Sequence, residues 1–352
     1  MVHEGQGNVA ARVSNGTWSR DGYRRSIDEI DLPPTVRTYA SRYDRVLGER
    51  DVFLWKWIHN LFDEFTLSSV DDDARDGLYE SKTLLTIYVT VLDDLAEVSD
   101  ERATFEVGRR LPFRARAGAE GTVRSDGDRE TTDADAGTTR SDVDHDVIDF
   151  LADLWNEIET SIEDGPRYDE FVDVFEYDFR QTCNAMEYSR LLNHNVSMAN
   201  RTEAERYDAY NMTVFPYACL DLMYSPSFDR EEFGVLRSLL CEIQQMARIG
   251  NWITTWEREL AEGDVSSGVV VCALRRGVIS PDELEDADDR TVDQLVDRIE
   301  SNGIESEFIR EWDIRNRTVR KRAVEIRSVD GEAVVDGIRT VMNHHLASEG
   351  NK

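Results

Sequence analysis

Two groups of oxygen-bearing side chains in this sequence could do chemistry together. Asn251, Thr255 and Glu259 are spaced i, i+4, i+8. On a helix each step of four turns the side chain by only about 40°, so the three form one stripe. An amide oxygen, a hydroxyl and a carboxylate are hard ligands of the kind Mg²⁺ accepts, usually together with phosphate oxygens. Much earlier, Asp93, Asp94 and Glu97 crowd the end of an apolar helical pattern. Carboxylates there face the negative end of the helix dipole, and like charges within one turn repel. A divalent cation would relieve both costs. Each group also has a plainer reading: the stripe as the polar face of an amphipathic helix, the cluster as a chance product of a chain in which 72 of 352 residues are Asp or Glu. A second acidic match, Asp72-Asp73-Ala74-Arg75-Asp76, lies in a charged, breaker-flanked connection and reads as a solvated turn.

The elements that must position these residues are helical. Apolar periodicity predicts a helix over Leu78–Glu97, with the acidic residues only at its far end. Asp229 as N-cap, with Glu232 in place for a capping box, predicts a long helix over Arg230–Glu262 that carries the stripe and stops at Gly263-Asp264. Other helical patterns run from Pro34 to Phe65 and over Asp146–Ile162, Tyr168–Leu192 and Glu203–Tyr224, where Pro216 should break or kink the last. Shorter helices follow near Gly268–Arg276, Val292–Asn302, Glu305–Arg327 and Ala333–His345. Strand-type alternation is scarce; only Gly268–Cys272 is ambiguous. The expectation is an all-α protein, one large helical bundle over residues 33–346. Residues 1–32 read as a polar, poorly ordered lead, 347–352 as a polar tail. Residues 114–146 are nearly devoid of large apolar side chains and read as a disordered acidic insertion, because they cannot bury enough surface to offset the entropy of ordering.

The formal net charge is −31, and of 41 basic residues only Lys56, Lys82, Lys321 and Lys352 are lysine. High salt screens the self-repulsion of such a surface, so the composition suggests a halophile. It argues against nucleic acid or an anionic membrane as a partner. Cys183, Cys219, Cys241 and Cys272 lie far apart, and buried free thiols are the expectation. The opening residues lack a signal peptide's apolar core, and no run approaches the roughly 18 apolar residues of a membrane span. A cytoplasmic protein without stable membrane insertion is expected.

The motifs, taken in order, resemble those of the class I terpene synthase family. Asp93, Asp94 and Glu97 match its Asp-Asp-x-x-Asp/Glu motif. Asn251, Thr255 and Glu259 match its Asn/Asp-x-x-x-Ser/Thr-x-x-x-Glu motif, Arg258 the basic residue before the last Glu, and Gly263 to Val269 the segment after it. The resemblance covers roughly residues 45–345 and implies the isoprenoid synthase fold. It implies Mg²⁺ (Mn²⁺ as an alternative), an isoprenyl diphosphate as substrate, no protein nucleophile, and a homodimer as one assembly. The implied reaction is that of a lyase or cyclase: ionisation of the diphosphate to a terpene product. Arg258, Arg206, Tyr210, Asn211 and Trp252 are the implied substrate-binding residues. Two departures stand out. The diphosphate-sensing Arg has no clear counterpart, leaving Arg206, Arg190 or no residue for the role, and the C-terminal Arg-Tyr pair of bacterial members is replaced by His344-His345-Leu346. Trp55, Tyr88, Phe175, Phe179, Tyr210, Phe215 and Trp252 are candidates to guide a cation by its attraction to aromatic faces, or are ordinary core. Three other readings stay open: a chain-elongating prenyltransferase, a head-to-head prenyltransferase, and a non-catalytic helical relative with vestigial acidic sites.

Overall fold

The computed structural model describes residues 20–99, 101–113, 143–284 and 288–348. Every regular element among them is helical. Helices α1 (Arg20–Asp28), α2 (Pro34–Val46) and α3 (Val52–Glu64) lead into α4 (Arg75–Asp93), which continues as a wider π turn, Asp94–Val98. Then come α5 (Arg102–Gly108), α6 (His145–Glu163), α7 (Tyr168–His194), α8 (Arg201–Arg206), a 3-10 segment (Asp208–Met212) and α9 (Val214–Met223). The 29-residue α10 (Phe233–Ala261) is followed by α11 (Gly268–Arg276), α12 (Asp289–Ser301), α13 (Ile304–Ala323) and α14 (Gly331–Ser348). No described helix is long and apolar enough to cross a membrane.

One continuous apolar core runs through the bundle, with α10 packed against α9, α11, α13 and α14 and α4 packed against α2, α3 and α6. Inside it, Lys82 of α4 and Asp221 of α9 form a buried ion pair at 2.5 Å, the ammonium lying over the Phe62 ring. Thr66 Oγ1 and the Leu67 backbone N–H complete the pair's hydrogen bonds, so α3, α4 and α9 are held in register. Trp155 stacks on Phe175 and Phe179 and meets the Tyr88 ring edge-on, a solid aromatic wedge between α4, α6 and α7.

The structure departs from sequence expectation at several breaks. The pattern from Pro34 to Phe65 divides at Gly48, whose φ of +112° an L side chain rarely adopts. The expected helix over Glu203–Tyr224 is three pieces, divided at Tyr207 and at Thr213, the latter held left-handed at φ 56°, rather than at Pro216. Pro216 sits in the first turn of α9, where its missing N–H has no partner to lose. Asp229 does cap, accepting from Glu231 N. Glu232, however, is drawn away from the capping box by the N–H groups of Arg327 and Ser328 and the Ser328 hydroxyl. The ambiguous Gly268–Cys272 is helix.

The polar lead also holds structure. Tyr23 and Ile27, one turn apart on α1, are buried with Phe53, Trp57 and Ala347 in a second small core. At the other end α14 runs through Ser348, so the first two residues of the expected tail are buried helix. Of the expected insertion, residues 114–142 lie outside the described residues, and the remainder opens α6, with Asp144 accepting from the N–H groups of Asp146 and Val147. Cys183, Cys219 and Cys272 are buried free thiols; Cys241 is exposed and free.

Candidate active site

A cavity of about 510 Å³ opens between α3, α4, the 208–213 break, α10 and α14. Its inner wall is apolar: Leu54, Trp57, Ile58, Leu61 and Phe62 from α3, Phe65 just after it, Val89 from α4, Val214 and Tyr217 from α9, Ile338 and Val341 from α14. Asp93, Glu97, Asn251, Thr255 and Glu259 line this same cavity, joined by Asn211, Arg258 and three residues that the motifs do not include, Arg50, Arg248 and Asp264. The stripe on α10 and the acidic end of α4 are thus brought together from positions more than 150 residues apart.

Charge defines the polar part of this cavity. Burial, then Asp94, pushes the Asp93 carboxyl up to about 6, while Asn211, donating to its Oδ1 at 3.1 Å, and Arg248 pull it down. Glu97 is pushed well above its ordinary value by burial, then by Asp93 and Asp264. Glu259 rises to about 7 through burial, then the Asp264 charge, with Arg248 opposing. Asp264, which lines the same cavity, adds to the rise of all three. It is positioned by the end of α10: its N–H bonds the Glu259 carbonyl at 2.8 Å, beside the left-handed Gly263 (φ +86°), and its carboxylate accepts from the Ser266 N–H and hydroxyl.

Arg248 stands among these carboxylates with 4% of its surface exposed. It grips Asp208 with two parallel bonds, Nε at 2.6 Å and Nη2 at 2.7 Å, and its Nη1 donates to Asn251 Oδ1 at 2.6 Å. Asp208 also accepts from Trp252 Nε1 at 3.0 Å. Negative charge on Asp208, Glu259 and Glu97 raises Arg248 against the cost of burial. Arg248 lies three residues before Asn251 and so extends the oxygen stripe by one turn on the same face; that periodicity was the available signal for it. Asp264 falls in the Gly263–Val269 segment that carries part of the resemblance, without being singled out there; Asp208 had no signal beyond being one of many acidic residues.

The other expected site residues lie elsewhere. Asp94 is about 100° round the helix from Asp93 and does not line the cavity; it accepts from the cavity-lining Arg50 Nη2 at 2.8 Å and from the Tyr43 hydroxyl. Arg206 is exposed and outside the cavity; Arg190 is buried beside Glu187, also outside it. Tyr210 stacks on Phe215, and Trp252 packs edge-on against Phe308 behind the wall. Trp55, Tyr88, Phe175, Phe179 and Phe215 are core and do not line the cavity. Its aromatic surface comes from Trp57, Phe62, Phe65 and Tyr217 instead. Among the described residues the arginines that reach the cavity are Arg50, Arg248 and Arg258, the last paired with Glu262 at 2.5 Å.

Among the described residues no three His, Cys, Asp or Glu side chains are gathered closely enough to hold a metal ion alone. Two observations nonetheless fit a divalent cation shared with a ligand's own oxygens. Glu97 Oε1 and Glu259 Oε2 are buried with no hydrogen-bond partner among the described residues. Leaving such groups unpaired is costly, and a hard cation is a partner that would satisfy them and offset the Asp264 charge that both feel. The further donors, Asn251 and Thr255, are hard oxygens as well.

Neither a protein-family model nor a curated protein matches the chain. Solved structures are similar in shape. Farnesyl diphosphate synthase from T. brucei superposes with a TM-score of 0.50 at 11% identity, covering 97% of this chain and 98% of that one. The same enzyme complexed with bisphosphonate gives 0.51 at 11% identity, covering 98% of each chain. The all-α isoprenoid synthase fold is therefore the fold of this protein.

Proposed function

We propose that this chain is a metal-dependent enzyme that ionises a linear isoprenyl diphosphate, expels diphosphate and releases a terpene, a lyase or cyclase reaction. The observation that carries the reading is the single cavity in which Asp93 and Glu97 from α4 and Asn251, Thr255 and Glu259 from α10 meet above an apolar wall. Those five residues, with Asp264 in the same cavity, would hold Mg²⁺. The ion would supply Lewis-acid charge to the leaving diphosphate. Arg248, Arg50 and Arg258 donate hydrogen bonds to its oxygens, and Arg248 takes the part for which Arg206 and Arg190 were the candidates in sequence. The C–O bond electrons leave with the diphosphate, so no protein nucleophile is needed. Trp57, Phe62, Phe65 and Tyr217 present aromatic faces to the cation, each worth about 0.5–2 kcal/mol, and the aliphatic wall excludes water.

The likeness to farnesyl diphosphate synthase favours a second reading, chain elongation, in which the ionised substrate condenses with isopentenyl diphosphate. The amide and hydroxyl at Asn251 and Thr255, where elongating enzymes resembling this chain would carry a second Asp-rich motif, support the lyase reading over it. The assay incubates the purified protein in high salt with Mg²⁺ and geranyl, farnesyl or geranylgeranyl diphosphate, with and without isopentenyl diphosphate. Diphosphate release and hydrocarbon without isopentenyl diphosphate is expected, falling on the order of a hundredfold in Asn251→Ala and Asp93→Ala. Release only with isopentenyl diphosphate, with a longer prenyl diphosphate formed, would establish elongation; no release from any substrate would leave a non-catalytic relative.

A further inference from the structure

We infer that the outer face of α13 docks this protein on an anionic lipid surface; the inference does not depend on the reaction proposed above. α13 packs on α10 and α14 with Phe308, Trp312, Val319 and Ala323 buried. Opposite that face, Arg310, Ile314, Arg317, Lys321 and Val324 follow one another at steps of four and three. At about 100° per residue the five stay within an arc of about 80° and form a stripe roughly 21 Å long. All five are exposed. Ile314 and Val324, 56% and 66% exposed, are the two most exposed large apolar side chains among the described residues. A lone exposed aliphatic needs no explanation, whereas two on one stripe with three cations make a surface of two chemistries.

The charge here runs against the rest of the chain. Residues 310–327 hold seven arginines and lysines against three carboxylates, in a protein of net charge −31. Arg317, Lys321 and Arg322 make no ion pair among the described residues, and Arg310 acts on Glu307 only at longer range. Glu307 is itself gripped by Arg276, and Glu311 by Arg201 and Arg315. Asp313 and Glu325 flank the stripe, about 60° to either side. Arg317 and Lys321 stand one turn apart, about 6 Å between their Cβ atoms, so one lipid phosphate can accept from both.

The order of residue types along the stripe selects lipid over protein. Ile314 and Val324 stand about 15 Å apart along the axis, with Arg317 and Lys321 between them. A protein partner covering both aliphatics would bury those cations at the centre of the interface, where charged groups, lysine among them, are depleted. A lipid surface takes the same order without burying charge. Its phosphates meet the cations at headgroup depth, and the aliphatic tips pass between headgroups to the acyl boundary. The net charge opposes an anionic surface for the molecule as a whole. Repulsion from carboxylates elsewhere is screened, however, over about 8 Å at physiological ionic strength and about 3 Å at 1 M salt. The lipid therefore responds to the face in contact with it.

The test is co-flotation of the full chain with vesicles of phosphatidylglycerol and with vesicles of phosphatidylcholine, at the lowest salt at which circular dichroism shows the fold intact. The parent is expected to partition onto phosphatidylglycerol about tenfold or more over phosphatidylcholine. The double variant Arg317→Gln, Lys321→Gln should lower that partition on the order of tenfold, since each cation near such a surface contributes about fivefold. The double variant Ile314→Ser, Val324→Ser should lower it several-fold, because it removes the inserting groups. All four positions are exposed and outside the cavity, so melting temperature and diphosphate release in solution should match the parent in both variants. No flotation of the parent, or equal partition onto the two lipids, overturns the inference. Binding that needs the cations but survives loss of both aliphatics marks a contact for any polyanion, nucleic acid included, and overturns it as well. A parent that floats as expected but releases no diphosphate sinks the proposed reaction and leaves the docking in place.

Discussion

Replacing Glu259 by Gln separates a metal-holding carboxylate from a structural one. The substitution keeps the shape of the side chain and removes its charge. In the folded state burial and Asp264 push the Glu259 carboxyl from 4.5 to about 7. At about 1.4 kcal/mol per tenfold change in proton affinity, that costs the ionised form on the order of 3 kcal/mol. Between roughly pH 4.5 and 7 the folded chain therefore keeps a proton that the unfolded chain has released. Linkage gives the sign: the stability this group contributes is complete below its unfolded value and is lost as pH rises through its folded one. Without metal at about pH 8, Glu259→Gln is then more stable than the parent by up to roughly 3 kcal/mol. Unfolding entropy of about 2 cal/mol/K per residue makes this some 4 °C in melting temperature. Near pH 4 the two proteins converge. Added Mg²⁺ and inorganic diphosphate should raise the melting temperature of the parent and leave the variant nearly unmoved. Thermal unfolding at several pH values and one fixed high salt concentration, with and without metal, reads all of this. A variant less stable than the parent at about pH 8 without metal would refute the reasoning, as would a variant that keeps the parent's gain from metal.

Two further substitutions probe neighbouring parts of the site. Asp94→Asn should keep diphosphate release within about tenfold while losing on the order of 1–3 kcal/mol of stability, because Asp94 does not itself line the cavity but accepts from Tyr43 and from the cavity-lining Arg50. Asp93→Asn should do the reverse, losing release about a hundredfold; side-by-side assays and melts of the pair decide it. Arg248→Met strands Asp208 as a buried, uncompensated charge and should cost about 3–5 kcal/mol in denaturant unfolding. Arg248→Lys keeps the charge without the two-pronged grip, and should retain more stability than methionine but little diphosphate release.

Much of the helical architecture is legible in local pattern. The periodicity of α6, α7 and α10 predicts those helices to within a few residues, since a 3.6-residue apolar repeat over several turns has no competing interpretation. The breaks are less legible. Thr213 and Gly48 end helices through φ values set by how the next helix packs, and Glu232 abandons its capping box for Ser328, 96 residues away, a bond no local rule contains. Tyr23 and Ile27 are too few to promise an ordered helix alone; Phe53, Trp57 and Ala347 supply the surface that stabilises α1.

The site divides along the same line. By itself the sequence determined the spacing of Asn251, Thr255 and Glu259 on one helical face, the placing of Asp93 and Glu97 one turn apart, and thus the oxygen chemistry each wall offers, because helical periodicity converts spacing directly into direction. Only the tertiary structure decided that both walls share a cavity, that Asp94 turns to Tyr43 and Arg50, and that Arg248 and Asp264 stand among the carboxylates. It also decided which aromatics are wall and which are core: Phe175 and Phe179 carry the same apolar pattern as Phe62 and Phe65, yet stack on Trp155 away from the cavity. A burial pattern tells a helix which face turns inward; what stands opposite that face depends on the crossing of helices far apart in the chain, which no local spacing encodes.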